Sequence, residues 1–483
     1  MIDLIKKYKN LPVQVKASLW FLICSFLQKG ISMLTTPIFT RLLSTSEYGQ
    51  FGVFNSWYSI SFIIISLSLT SGVHTQGLVK FDNDKSVFSS SLQGLVTFLV
   101  IIWTCIYLCF HSFWDKLTGL TTFQMLLMIA MIWTSCTFGF WANEQRVKYA
   151  YKELVIITVI VSIAKPIIGI IFVLNAEDKV TARILGLLLV ELLSYFWMFI
   201  YQIKSGKALF SRRYWSYALR FNIPLVPHYL SQTVLNGSDK IMIQRMIGDD
   251  EAGIYNLAYS LALIMTLFNT ALMQTISPWM YQKIKQKREK DIENIAYITL
   301  IIIALVNLVV ILFAPEIVAI FAPKSYYAAI WVVPPVAMSV FFMYTYDLFA
   351  KFAFYYEKTN FIMIASICGA LLNIVLNYIC LNKFGYIAAG YTTLVCYIIY
   401  SIAHYCFMKK VCKDYCQGRY PYNPANIIKI AVPFLAIGFL MLLTYGQPLI
   451  RYSLFAVMLV AAYYYRKSIQ QMLRSIISLK KKQ

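Results

Sequence analysis

Along nearly the whole chain, apolar residues gather in blocks of about 20, separated by short clusters of charged and turn-forming residues. Each block is long enough to cross a ~30 Å hydrocarbon core as a helix. The first six lie near residues 17–38, 50–70, 91–113, 121–142, 154–174 and 182–202. A basic interruption follows, and then eight more near 217–237, 253–277, 295–314, 328–350, 359–381, 385–408, 427–445 and 449–465. Runs such as GLLLVELLSYFWMFIY are apolar on every face, whereas the strands of a membrane barrel alternate in polarity over about ten residues. The pattern therefore predicts an all-α polytopic membrane protein with about 14 transmembrane helices. The prolines at 224, 227, 334 and 335 fall inside predicted spans, which membrane helices tolerate where neighbours or a wet cavity satisfy the freed carbonyls.

Composition agrees: of 483 residues, 59% are hydrophobic and 13% charged, against roughly 45–50% and 25% in soluble domains. A net charge of +22 would suggest nucleic acid in a soluble protein, but no basic stripe sits on a separate domain here, and nucleic acid is not an expected partner. In a membrane protein the side on which the cations fall matters more. Under this span map, 32 of the 43 Lys and Arg lie in the termini and in alternate connections on one side, and 9 lie on the other, leaving Lys29 and Lys165 inside helices. Both termini are therefore expected in the cytoplasm, with the basic N-terminus read as a cytoplasmic arm. The ten Cys are scattered, with no CxxC or Cys/His metal spacing.

An internal duplication is visible. RLLSTSEYGQFGVFNS from Arg41 and RMIGDDEAGIYNLAYS from Arg245 align at a constant offset, matching Arg41 to Arg245, Glu47 to Glu251, Gly49 to Gly253, Phe51 to Tyr255 and Ser56 to Ser260. Six helices per repeat is an even number, so the copies run parallel. The expected domains are a six-helix lobe at 1–205, a second at 206–410, and two appended helices with a basic tail at 411–483. No connection has room for a nucleotide-binding cassette, and no GxxxxGK[ST] is present. No catalytic constellation assembles from His74 in a cytoplasmic loop, His111, His228 or His404. A membrane enzyme would usually need a large outer loop carrying arginines, which the chain lacks.

Ionisable groups at membrane depth are costly and normally face a bundle interior or a wet cavity. Lys29 and Lys165, Lys240 at the end of helix 7, and Arg41 and Arg245 at outer helix ends would give a cationic interior suited to an anionic headgroup such as a pyrophosphate. The bland alternatives are pairing of the lysines with Glu191 or Asp347, snorkelling, and for the arginines capping or bridges to Glu47 and Glu251. Trp57, Tyr58, Tyr255 and Tyr259 are candidates for stacking on sugar rings. Asn373 and Asn377, four apart on one helix face, with Thr393 and Asp239, form either a hard-cation site or interhelical hydrogen-bonding glue.

The passages QKGISMLTTPIFTRLLSTSEYGQFGVF and NGSDKIMIQRMIGDDEAGIYNLAYSLAL, with the fourteen-helix plan, resemble the polysaccharide biosynthesis proteins of the MOP exporter superfamily, specifically the Wzx-type flippases. The resemblance implies a V-shaped two-lobe transporter, not an enzyme, in a bacterial inner membrane. It implies a cationic central cavity that passes undecaprenyl-pyrophosphate-linked oligosaccharides of O-antigen or related polysaccharides by alternating access. The polymerase and chain-length regulator of the same pathway would be its partners, beside membrane lipids. It also implies a coupling-ion site at Asp239, Asn373, Asn377, the Ala389 carbonyl and Thr393. An amide at Asn377, where an acid would bind a cation more strongly, leaves both Na+ and H+ as coupling ions. No other cofactor is expected. A small-molecule or drug cation antiporter of the same fold is the alternative; it would want an acidic cavity.

Overall fold

In the computed structural model, residues 12–464, 466, 467 and 470 are described; the basic arm before residue 12 and the tail beyond 470 lie outside them. The protein is 88% helical, with no strand among the described residues, and is a multi-pass membrane protein. The first half runs α1 (Val13–Leu42), α2 (Thr45–Ser66), α3 (Gly72–Lys80), α4 (Lys85–Cys109), α5 (His111–Thr118), α6 (Thr122–Val147), α7 (Tyr151–Leu174) and α8 (Lys179–Gly206). Then come α9 (Arg212–Asn222), α10 (Val226–Met246), α11 (Asp249–Ala262), α12 (Met265–Lys285), α13 (Ile292–Leu312), α14 (Ala314–Phe321) and α15 (Val333–Tyr355). The series closes with α16 (Thr359–Phe384), α17 (Ala388–Tyr415), α18 (Pro424–Leu442) and α19 (Pro448–Tyr464).

Every expected span overlaps a helix, but among the described residues ten helical stretches are by themselves long and apolar enough to cross a membrane. An eleventh counts if the 3-10 turn Lys324–Trp331 and α15, which meet at 47°, form one span. The expected fourteen thus exceeds what length and composition support. The physical reason is polarity: α2 and α10 carry too many polar residues; of α19 only Pro448–Tyr464 falls in one described stretch. Pro334 and Pro335 open α15, where a missing N–H costs nothing, so the break precedes the prolines.

Local chemistry sets the helix ends. Ser44 and Glu47 form a reciprocal capping box at the start of α2, and Thr121 and Gln124 do the same for α6. α2 stops where Leu67 and Ser68 adopt left-handed conformations, with φ of 49° and 52°. The span expected at 217–237 is displaced. Residues 212–222 instead form the amphipathic α9, whose Tyr214 hydroxyl donates to Asp84 (3.0 Å) and whose Trp215 indole donates to the Ser91 carbonyl (2.8 Å). The spanning-length helix is therefore α10, and Asp239 and Lys240 lie well inside it, not at a helix end as expected. Likewise His74 is not in a loop: it is fully buried in α3, 3.0 Å from Ser89 Oγ.

The chain clusters into two compact units, Met1–Gly237 and Ser238–Gln483. In the first, α2, α4 and α6 bury Phe54, Phe88, Ile132 and Phe140 in one core. In the second, α15 is buried on nearly every face and packs against α13 and α17. The appended α18 and α19 join this unit through Tyr445, which donates to the Ile311 carbonyl (2.7 Å), and through an Arg451–Glu316 ion pair at 2.7 Å.

Close backbone approach in the first unit depends on two glycines. A Cβ on Gly94 of α4 would lie 1.9 Å from the Leu209 carbonyl oxygen, and one on Gly206 would lie 2.1 Å from that of Ser86. Gly94→Val is expected to destabilise the protein by about 1–3 kcal/mol through overpacking. Thermal unfolding of the purified protein in detergent checks this; an unchanged transition would contradict the close approach.

Candidate functional site

Two buried polar clusters lie among the helices, one in each unit. In the second, Asp239 of α10 is 1% exposed. Its carboxylate accepts from Tyr255 of α11 (2.6 Å), Asn377 of α16 (2.6 Å) and Thr393 of α17 (2.8 Å). Asn373, one helical turn before Asn377, accepts from Ser238 (3.1 Å) and from the Asn377 amide (3.2 Å). Thr392 donates to Asn377 Oδ1 and to the Ala389 carbonyl, the latter at 2.9 Å. The structure thus brings Asp239, Asn373, Asn377, Ala389 and Thr393 together.

All three donors to Asp239 are neutral. Burying a carboxylate in hydrocarbon without a cation costs several kcal/mol unless hydrogen bonds compensate, and here three helices supply them. Asn373 Nδ2 is buried without a partner among the described residues. The oxygens present (one carboxylate, two amides, hydroxyls and a carbonyl) are the ligand set a hard cation takes. No group of three or more His, Cys, Asp or Glu suited to a metal occurs among the described residues.

Tyr255, expected among sugar-stacking residues, is fully buried with its hydroxyl on Asp239, so it presents no free ring face. Lys240 stands 5.4 Å from the Tyr259 ring centroid. Arg245, in the last turn of α10, is exposed.

In the first unit, Lys165 of α7 pairs with Glu191 of α8 at 2.7 Å. Glu191 also accepts from Thr134 (2.5 Å), while Tyr58 donates to the neighbouring Ser135 (2.7 Å). Asp347 pairs with Lys351 on its own helix (2.6 Å). Lys165 lines a cavity of about 330 Å³ between α1, α2, α7 and α8. Gln28 and Ser32 line its α1 side, and Lys29 is exposed on that helix beside them. Arg41 donates to the Pro37 carbonyl (2.8 Å), within the last turn of α1. Trp57 is half-buried against the core of the unit.

Arg183 also lines this cavity. In the charge count by side it falls among the nine outer cations although the expected span 182–202 contains it, and it lies in the first turns of α8, which begins at Lys179. Its one available signal was the two aromatic positions at the facing ends of α1 and α2, Phe39 and Phe51, which sequence alone does not bring together.

These features define a helical membrane transporter, and comparisons with known proteins agree. The profile of the family described as "Polysaccharide biosynthesis protein" matches residues 15–283, and that of MatE matches 224–379. The chain belongs to the polysaccharide biosynthesis protein family, a transporter family and not an enzyme family. A Haemophilus influenzae relative, Lsg locus putative protein 1, is 22% identical over 378 residues, which cover 74% of this chain and 88% of that protein.

Among solved structures, an inward-facing multidrug resistance MATE transporter of the MOP superfamily gives a TM-score of 0.61 at 12% identity, covering 81% of this chain and 96% of its own. A MOP superfamily transporter from Pyrococcus furiosus, described as having a binding pocket of reverse polarity, gives 0.51 at 12% identity, covering 82% and 95%. At this identity the likeness establishes the fold.

The ion pair yields a stability prediction. Lys165→Met strands Glu191 and is expected to cost about 3 kcal/mol, whereas Lys165→Met with Glu191→Gln recovers most of the loss. Thermal unfolding in detergent reads both variants; equal losses would show that the pair is not what holds α7 to α8 here.

Proposed function

We propose that this protein is a flippase. It carries undecaprenyl-pyrophosphate-linked oligosaccharide repeat units, of O-antigen or a related surface polysaccharide, from the cytoplasmic to the periplasmic leaflet of a bacterial inner membrane by alternating access. The observation that carries the reading is the cationic cavity of the first unit: Lys165 and Arg183 line it and no carboxylate does. An anionic headgroup is attracted to such a lining and a cationic drug is repelled. Membership of a polysaccharide biosynthesis family supports it, as does the relative named for the Lsg locus.

In this reading Lys29, Arg41, Lys165, Lys240 and Arg245 guide the pyrophosphate, and Trp57 offers an aromatic surface to the sugars. The polymerase and chain-length regulator receive the product. Asp239 with Asn373, Asn377, the Ala389 carbonyl and Thr393 takes the coupling ion, Na+ or H+. The cage fits either. Hydroxyl and amide groups that now donate to Asp239 turn to present oxygen to Na+, and protonation of Asp239 turns one of them into an acceptor. A cation antiporter is the second reading, favoured by the same buried acid and by the multidrug transporter neighbours.

Cells lacking the protein are expected to accumulate repeat units that react with an impermeant glycan probe only after spheroplasts are opened. Units already exposed outside would overturn the flippase reading, and absence of accumulation would favour the antiporter. In complemented cells, Asp239→Asn is expected to lower export by at least about tenfold, the order of a 1.4 kcal/mol loss or more, while membrane insertion is retained. Undiminished export would remove Asp239 from coupling.

A further inference from the structure

Between Glu191 and Asp239 the chain carries no acidic residue and five cations, Lys204, Lys207, Arg212, Arg213 and Arg220. Three of them lie on α9, which is fastened to the first unit along one face, where Tyr214, Ala218 and Asn222 are buried. Besides the bonds of Tyr214 to Asp84 and of Trp215 to the Ser91 carbonyl, the Asn222 amide donates to the Leu67 carbonyl (2.6 Å). Held this way, α9 turns its opposite face outward, and Arg212, Ser216 and Arg220, spaced four apart and so aligned, are exposed along it. Arg213 lies 5.1 Å from the Phe81 ring centroid, but neither Arg212 nor Arg220 has an ion pair among the described residues. The carboxylates of the turn before α4 are already engaged, Asp84 by Tyr214 and Asp82 by Lys85.

The flanks of α9 are apolar. Leu209 and Phe210 precede it and Ile223 follows it, each more than half exposed. Phe210 meets Trp215 edge to face at 4.8 Å, and Trp215 lies 5.6 Å from Phe98 of α4. Phe98 opens an exposed apolar stripe on α4 that continues through Ile101 and Leu108. With its preceding turn, α4 is long and apolar enough to cross a membrane, so this stripe faces lipid chains. The aromatic strip therefore runs from the lipid-facing side of a spanning helix onto α9, and it sets α9 at the level where chains give way to headgroups, the level at which Trp and Tyr collect. An acidic soluble protein would use the arginines and leave the strip idle. A phospholipid uses both, since a guanidinium fork matches phosphate oxygens and the rings give its chains an apolar wall.

We infer that the outward face of α9 is a binding surface for anionic phospholipids, which place headgroup phosphates on Arg212 and Arg220 and acyl chains along Phe210 and Phe98. It favours anionic over zwitterionic lipids, because each basic residue at an anionic surface strengthens binding about fivefold, whereas a zwitterionic headgroup brings its own cation to the arginines. The surface belongs to the first unit and uses neither its cavity nor the acid cage of the second, so its failure and that of the flippase reading are separable.

The test is thermal unfolding of the full-length protein in detergent micelles containing dioleoylphosphatidylglycerol or dioleoylphosphatidylcholine. At about tenfold excess over half-saturation, the anionic lipid is expected to raise the midpoint by about 2–3 °C beyond the zwitterionic one, and by less at high salt. Arg212→Gln with Arg220→Gln is expected to weaken binding about 25-fold and to remove most of that increment. Ser216→Glu, which sets a carboxylate between the two arginines, is expected to remove it as well, and it carries the test if the double variant does not elute as a folded species. Lys285→Gln with Lys287→Gln, at exposed cations where α12 ends, is expected to keep it. Equal shifts with the two lipids overturn the surface and leave the arginines to an acidic soluble partner. An increment that survives in both α9 variants overturns it too, since the lipid then sits elsewhere.

Discussion

A carboxylate carried into a membrane interior has to be met there by donors or by a cation, since the hydrocarbon supplies neither and an unmet charge costs more than most helix contacts return. This chain meets the requirement in two ways. Glu191 is answered by an ion pair to Lys165 and a hydroxyl from Thr134, which ties α8 to α7 and α6. Asp239 is answered by neutral donors on α11, α16 and α17, which ties four helices around one buried anion. Each acid organises the helices about it, and the difference in how its charge is met sets what each half offers a ligand.

The printed donors to Asp239 are all neutral, whereas Glu191 is met by a lysine. In the first unit Glu191 pairs with Lys165, and Arg183 lines the cavity against the Phe39 and Phe51 rings. On the proposed reading, a cation-lined cavity in one unit and a buried acid in the other suit the coupled movement of an anionic lipid-linked saccharide against a cation gradient. A carrier of cationic drugs would have little use for the first. The polysaccharide biosynthesis family to which the chain belongs is consistent with that division.

Much of the fold was legible because the bilayer imposes a length: blocks of about twenty apolar residues located every long helix. The short helices were not, because α3, α5 and α14 are under ten residues and α9 is amphipathic. Missing α9 displaced the following span and put Asp239 at a helix end. The acid cage was partly visible, since Asn373 and Asn377 share a face by spacing, Asp239 and Thr393 stood out as polar groups among apolar blocks, and the resemblance to known flippases supplied the Ala389 carbonyl. Tyr255 was visible as an aromatic on an inner helix, yet nothing in its spacing told a sugar platform from a donor to Asp239. Arg183 sits at the edge of the expected span 182–202 and reads as one of the outer cations, because its two aromatic partners come from helices far away in the sequence. Long-range pairing of this kind has no local signature.

The central claim is that the protein moves an anionic lipid-linked saccharide between leaflets. The most direct measurement uses proteoliposomes loaded with a fluorescent polyprenyl-pyrophosphate-linked oligosaccharide, an imposed cation gradient and an impermeant quencher outside. The account predicts that the protein brings probe from the inner leaflet into reach of the quencher, faster with the gradient than without it. Quenching that stays at the outer-leaflet share found in protein-free vesicles, while the same proteoliposomes exchange a cationic dye for the gradient ion, would contradict it.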